Sequence, residues 1–221
     1  MIDTDMKKDR SEFKRICAPL AIILMCAMLC CACGAVSPED LDVTGIILDK
    51  KDRVTQVIVE DFAQSYYNAD ELKADIENQI NEVNSVSGSD NPEESAEKKD
   101  DTPDVELKGF ELSEDRKLKV QIAFENCNLY TYFNKKQLFV GFLSDMTAAG
   151  GTLPVMNKAD GTGVLGQDEM AGILNKKVVM IEENMAVVTP SKILYYSENM
   201  SLTGDYSAIL PNEGEKGYVV Y

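Results

Sequence analysis

The sequence predicts an α+β fold: a mainly antiparallel sheet with one clear amphipathic helix and two short helices packed on it. Three observations lead there. Leu118, Val120, Ile122 and Phe124 alternate with Lys117, Lys119, Gln121 and Glu125, the period of a strand with one buried face. Leu72, Ile76, Ile80 and Val83 recur at helical spacing, a narrow stripe suited to a helix lying on a sheet. From Lys177 to Tyr221 the chain breaks into short apolar runs separated by turn residues, as all-β segments do.

In chain order, Val43–Leu48 and Arg53–Phe62 flank the turn Asp49-Lys50-Lys51-Asp52 and read as a hairpin. The long helix follows, with Asn68 or Asp70 as its cap and Glu71 three residues after Asn68, the spacing of a capping box. Residues 85–104 (SVSGSDNPEESAEKKDDTPD) are polar and interrupted by Pro92 and Pro103. Such a segment buries too little apolar surface to offset its ordering entropy, so a disordered acidic loop is expected. Val105 and Leu107 change phase to Phe110 and Leu112 at Gly109, which predicts a bulge ahead of the alternating strand. Asn126–Asn134 is aromatic and reads as a helical turn, and Leu138–Phe142 as a buried strand. Ser144 or Asp145 opens a short helix ending near Gly150-Gly151. Residues 152–166 read as irregular, and Asp168–Leu174 as a second short helix capped by Gln167 or Asp168. The strands Lys177–Glu182, Met185–Thr189, Lys192–Tyr196, Ser201–Ile209 and Tyr218–Tyr221 close the chain, and a single sheet is expected to hold them all.

Ahead of these elements stands Ile16–Cys33, a run of 18 residues without a charge, preceded by Lys14-Arg15 and followed by Gly34-Ala35. A basic region, an apolar core and a small-residue exit are the layout of a secretory signal. The end of the run, Leu29-Cys30-Cys31-Ala32-Cys33-Gly34, resembles the lipobox of bacterial lipoprotein precursors. Ala32 and Cys33 fit that pattern; Leu29 stands one place further out, with Cys30 in its slot, and Cys31 is the second candidate for the acylated thiol. The resemblance implies removal of residues 1–32 as a signal peptide and a diacylglycerol on Cys33. Residues 33–42 would then be a lipid-anchored tether, and 43–221 a single domain on the outer face of the cytoplasmic membrane or in the cell envelope. Two acyl chains matter, because one chain alone holds a protein to a bilayer only marginally.

Charge narrows the partners. Of 38 acidic and 22 basic residues, four and five respectively precede Cys33, which leaves 34 against 17 and a formal net charge of −17 on the exported part. Phosphate backbones repel such a domain, so nucleic acid is not expected; a cationic or envelope partner is. The chain contains no histidine, which removes serine triads, Cys-His pairs and nearly every common zinc site. Beyond the leader only Cys33 and Cys127 remain of six cysteines, so no disulfide framework holds the domain, and Cys127 reads as a small core residue.

Gly161-Thr-Gly163-Val-Leu-Gly166 matches G-x-G-x-x-G, but no strand is evident before it and the helix opens only after Gly166, so no pyrophosphate cradle is expected. Asp160, Asp168 and Glu169 in the same stretch are candidate ligands for an irregular calcium site, an EF-hand being excluded by Met156 and Lys158 at ligand positions; no other cofactor is expected. Tyr66, Tyr67, Tyr130 and Tyr132 fall at helix or loop edges, where they could line a binding groove. The expected function is a lipid-anchored, non-catalytic binding or interaction domain. The alternative is a carboxylate- or metal-dependent hydrolase acting on envelope polymers, which requires two acids facing each other across a cleft.

Overall fold

The computed structural model describes residues 36–64, 67–87 and 103–221. The leader with Cys31 and Cys33, Tyr66 and residues 88–102 of the expected acidic loop lie outside the described residues.

The first hairpin forms as the sequence predicts, with β1 (Gly45–Leu48) antiparallel to β2 (Val54–Asp61). Its turn is tied by Asp49, whose carboxylate accepts from the amides of Lys51 at 2.7 Å and Arg53 at 3.0 Å. Helix α1 (Ala69–Ser87) is opened by Asn68, whose Oδ1 accepts from the amides of Asp70 at 3.1 Å and Glu71 at 3.2 Å. Those bonds satisfy two donors that a helix start leaves without intrahelical partners. The helix runs on through Ser87, so residues 85–87 are helical and not part of a loop.

β3 (Val105–Leu112) and β4 (Lys117–Phe124) pair with a register shift between Leu107 and Gly109, the bulge expected there. α2 (Cys127–Asn134), β5 (Leu138–Phe142) and α3 (Leu143–Ala148) come next. α3 continues straight from the strand with no side-chain cap, so neither Ser144 nor Asp145 opens it. Within the stretch expected to be irregular, Met156–Lys158 forms β6. α4 is limited to Met170–Ile173 and also lacks a side-chain cap, in place of the expected Asp168–Leu174 with Gln167 or Asp168 capping. The remaining strands are β7 (Lys177–Ile181), β8 (Ala186–Val188), β9 (Tyr195–Ser197), β10 (Ser201–Gly204), β11 (Ser207–Ile209) and β12 (Gly217–Val220). What reads as one strand from Ser201 to Ile209 folds back on itself as the β10–β11 hairpin.

The α+β class holds, but the strands form two sheets where one was expected. The first has the order β10-β11-β8-β1-β2-β4-β3 and the second β5-β7-β12-β9-β6. All described pairings are antiparallel except β1 with β8. Gly45 makes that parallel pair possible: a Cβ there would lie 2.7 Å from the carbonyl oxygen of Ala186.

Side chains of both sheets meet in one buried cluster, with Ile46, Val54 and Ile122 from the first and Val140, Val179 and Val219 from the second. Ile80 and Val83 of α1 and Tyr130 and Phe133 of α2 join it, and Leu72 and Ile76 pack against its edge, so the predicted stripe is the face that α1 buries. The other face of the second sheet packs Val178 and Val220 against Leu143, Met146 and Ile173. On the other face of the first sheet, Val57, Ala186 and Val188 pack with Leu41, which is 1% exposed. Residues 36–43 therefore lie on the sheet, with Val36 and Val43 packed there as well, and are not free-standing as a tether would be. Strands with apolar side chains on both faces carry continuous apolar runs, such as residues 178–181 of β7, in place of alternation. Lys177 of the second sheet also pairs with Asp52 in the first hairpin's turn. Among the described residues no helix is long and apolar enough to cross a membrane.

Candidate functional site

Of the four tyrosines predicted to line a groove, Tyr66 lies outside the described residues and the other three do not converge. Tyr130 is fully buried, so it does not line a surface. Asn126 explains why: its Oδ1 accepts from the amides of Asn128 and Leu129, both at 3.0 Å, and so fixes the start of α2. That phase turns Tyr130 and Phe133 inward, three residues apart on one face, with Phe124 edge-on to both rings at 5.3 and 5.4 Å. The Tyr130 hydroxyl donates to Glu183 Oε2 at 2.6 Å. Gln56, a polar residue in the middle of β2, places Nε2 3.5 Å from that hydroxyl and accepts on Oε1 from Asn134 Nδ2 at 3.2 Å. Burial, then the Glu183 charge and the hydrogen bond to it, push the Tyr130 phenol well above its ordinary value. This network links β2, α2 and the turn before β8, and it holds α2 in one orientation over the core.

Tyr67 stacks on Phe62 at 4.8 Å near the start of α1. Tyr132 lies near the helix's other end, across the length of a 19-residue helix, about 28 Å at 1.5 Å per residue. The Lys135 ammonium sits 3.9 Å from the Tyr132 ring centroid, and the ring walls an open groove of about 490 Å³. The groove runs between the last turns of α1 (Val83, Val86) and the first turns of α2 (Asn126, Asn128, Leu129), with Asp104 at its end.

Asp104 also lines a second concavity of about 350 Å³, at the end of the sheet formed by β2, β4 and β3. There the charged groups are Asp49, Arg53, Asp104, Glu106, Lys108 and Glu125. Asp49 receives the Arg53 side chain at 2.7 Å, and Lys108 pairs with Glu106. Asp104 and Glu125 enter none of the ion pairs among the described residues. They are neighbours, the Glu125 amide donating to the Asp104 carbonyl at 2.9 Å. The two concavities were not legible in the sequence, since Val86, Asp104 and Tyr132 come from three separate segments.

Two of the three candidate calcium ligands, Glu169 and Asp160, are held by their own surroundings. Glu169 accepts from Lys158 Nζ at 2.8 Å on one oxygen and from the Gly166 amide at 2.8 Å on the other. Asp160 Oδ1 accepts from the amide and hydroxyl of Thr162, at 2.9 and 2.7 Å. Asp168 is exposed. Among the described residues, no three His, Cys, Asp or Glu side chains come together as a metal would require. The glycine stretch is tied to β6 by the bridge between Asn157 and Val164, and no helix begins at Gly163. Cys127 is half-buried, its Sγ 3.9 Å from the Val140 carbonyl oxygen.

Acid catalysis on a polymer needs a carboxyl kept protonated near neutral pH. Among the described residues, the carboxyls whose values are displaced move the other way. The Ser37 hydroxyl lowers Glu39, the Ser113 hydroxyl lowers Asp115, Thr162 lowers Asp160 and Lys158 lowers Glu169. At Asp49 burial pushes upward, but hydrogen bonds from Arg53 and the Lys51 amide outweigh it and leave the carboxyl below its ordinary value. These are permanently ionised acids at neutral pH. No protein-family model, curated protein or solved structure matches this chain.

Proposed function

We propose that this chain is a lipid-anchored extracytoplasmic protein that presents an acidic, non-enzymatic interaction domain at the cell envelope. One observation carries the reading: the uncharged run Ile16–Cys33 behind Lys14-Arg15, ending in a thiol and small residues. A basic flank keeps its own side of an apolar segment in the cytoplasm and exports the chain on the far side. Acylation of Cys33, or of Cys31 in second place, then moors the exported part through two chains, enough for stable membrane residence. The excess of 34 acids over 17 bases after residue 32 keeps a crowded surface protein soluble and selects for cationic partners. The groove beside Asp104 offers a concave surface for such a partner.

The test is labelling with a radioactive fatty acid during expression of the full chain in a bacterial host. Label is expected in the wild type and in Cys31→Ser, and is lost in Cys33→Ser. An unlabelled wild-type chain recovered from the soluble fraction refutes the anchor.

A further inference from the structure

The apolar groove and the charged concavity share Asp104 as a common wall. We infer that this double concavity docks a cationic amphipathic peptide segment, with an apolar side chain between Val86, Leu129 and Tyr132 and a basic side chain against Asp104 and Glu125. The inference rests on the reading of the chain as an interaction domain.

The apolar half continues the α1 stripe one turn beyond its last buried member: Val83 is 4% exposed and Val86 45%. Tyr132 faces it, 47% exposed. Two large apolar side chains across an open groove fit an apolar group held against water. The charged half decides what else the ligand carries. Four acids (Asp49, Asp104, Glu106, Glu125) stand against two bases (Arg53, Lys108), a local excess of two negative charges. The bases are engaged by Asp49 and Glu106, so the excess resides on Asp104 and Glu125, at the junction with the apolar half. A ligand that fills both halves therefore pairs an apolar group with a nearby cation. The same charge disfavours other occupants: two copies with −17 each, from 34 acids and 17 bases, repel one another, and so does an anionic lipid surface.

The experiment uses the full chain in non-ionic detergent and two fluorescent peptides, short repeats of Phe-Leu-Lys-Lys and of Phe-Leu-Glu-Glu, read by anisotropy. The lysine peptide binds, more weakly as salt rises, and the glutamate peptide does not. Tyr132→Ser weakens binding by about tenfold or more, as loss of an aromatic anchor does. The double variant Asp104→Asn, Glu125→Gln weakens it and flattens the salt dependence. Unchanged binding in either variant, or no preference for the lysine peptide, overturns the inference. So does a dimer that Tyr132→Ser dissolves, which would make a second copy the occupant. Fatty-acid labelling of the same samples separates the two levels: lipid on Cys33 without peptide binding overturns this inference alone, and missing lipid overturns the reading beneath it.

Discussion

Asn84 presents its carboxamide to both backbone groups of Val105: Nδ2 donates to the carbonyl at 2.9 Å and Oδ1 accepts from the amide at 2.9 Å. β3 is the edge of its sheet, and Val105 is fully buried. The side chain of α1 thus stands in for a neighbouring strand at the start of β3, covering backbone groups that an open edge leaves without partners. Asn84→Ala removes both bonds at once and is expected to cost about 1–3 kcal/mol, the penalty of buried polar groups left unmade. Denaturant unfolding checks it; an unchanged midpoint means that β3 does not depend on α1.

Tyr130 makes stability depend on alkaline pH. Its pKa is raised in the folded state by burial and by Glu183, while the unfolded chain titrates near the ordinary tyrosine value of about 10. The stabilising contribution is therefore fully present below about pH 10, and it is lost as pH rises further, because only the unfolded chain releases the proton. Tyr221 is raised as well, by burial first and then by the Asp52 charge, and acts in the same direction. Urea midpoints measured from pH 8 to 11.5 are expected to hold steady and then fall; a flat profile contradicts the buried Tyr130–Glu183 bond.

The hydroxyl of Tyr221 is buried and has no hydrogen-bond partner among the described residues. Its ring packs in the main core cluster. Tyr221→Phe keeps the ring and removes the unmatched polar atom, so a gain of about 1 kcal/mol is expected in thermal unfolding. A loss of that size shows that the hydroxyl has a partner.

Gly45 tests the parallel pair. A Cβ at that position meets the Ala186 carbonyl oxygen at 2.7 Å and Leu41 Cδ2 at 3.1 Å, and backbone cannot give way as a flexible side chain can. Gly45→Val is expected to destabilise by about 1–3 kcal/mol through overpacking. Stability equal to the wild type contradicts the β1–β8 contact.

Where period and local chemistry decide, the sequence was legible. The alternation of β4, the bulge at Gly109, the α1 stripe and the Asn68 cap are local signals, and each stands in the fold where expected. The second sheet was not legible, because strand pairing such as Leu138 with Ile181 joins residues far apart in the chain and leaves no mark in either run. Strands of three residues, such as Met156–Lys158, are too short for a period to show. Tyr130 and Tyr132 are chemically alike and two residues apart, yet one is core and the other walls a groove. The difference lies in the helix phase set by Asn126, which converts an aromatic cluster into an inner and an outer face. The site residues Asp104 and Glu125 carried no sequence signal at all: single acids at strand ends acquire meaning only when the fold sets Asp104 beside Val86 and Tyr132, and Glu125 beside Asp104.

The anchor is tested most directly by mass spectrometry of the mature N-terminus of the native protein. The account predicts a polypeptide that begins at Cys33 and carries a diacylglyceryl group on its sulfur. A chain that keeps residues 1–32, with unmodified thiols, contradicts it.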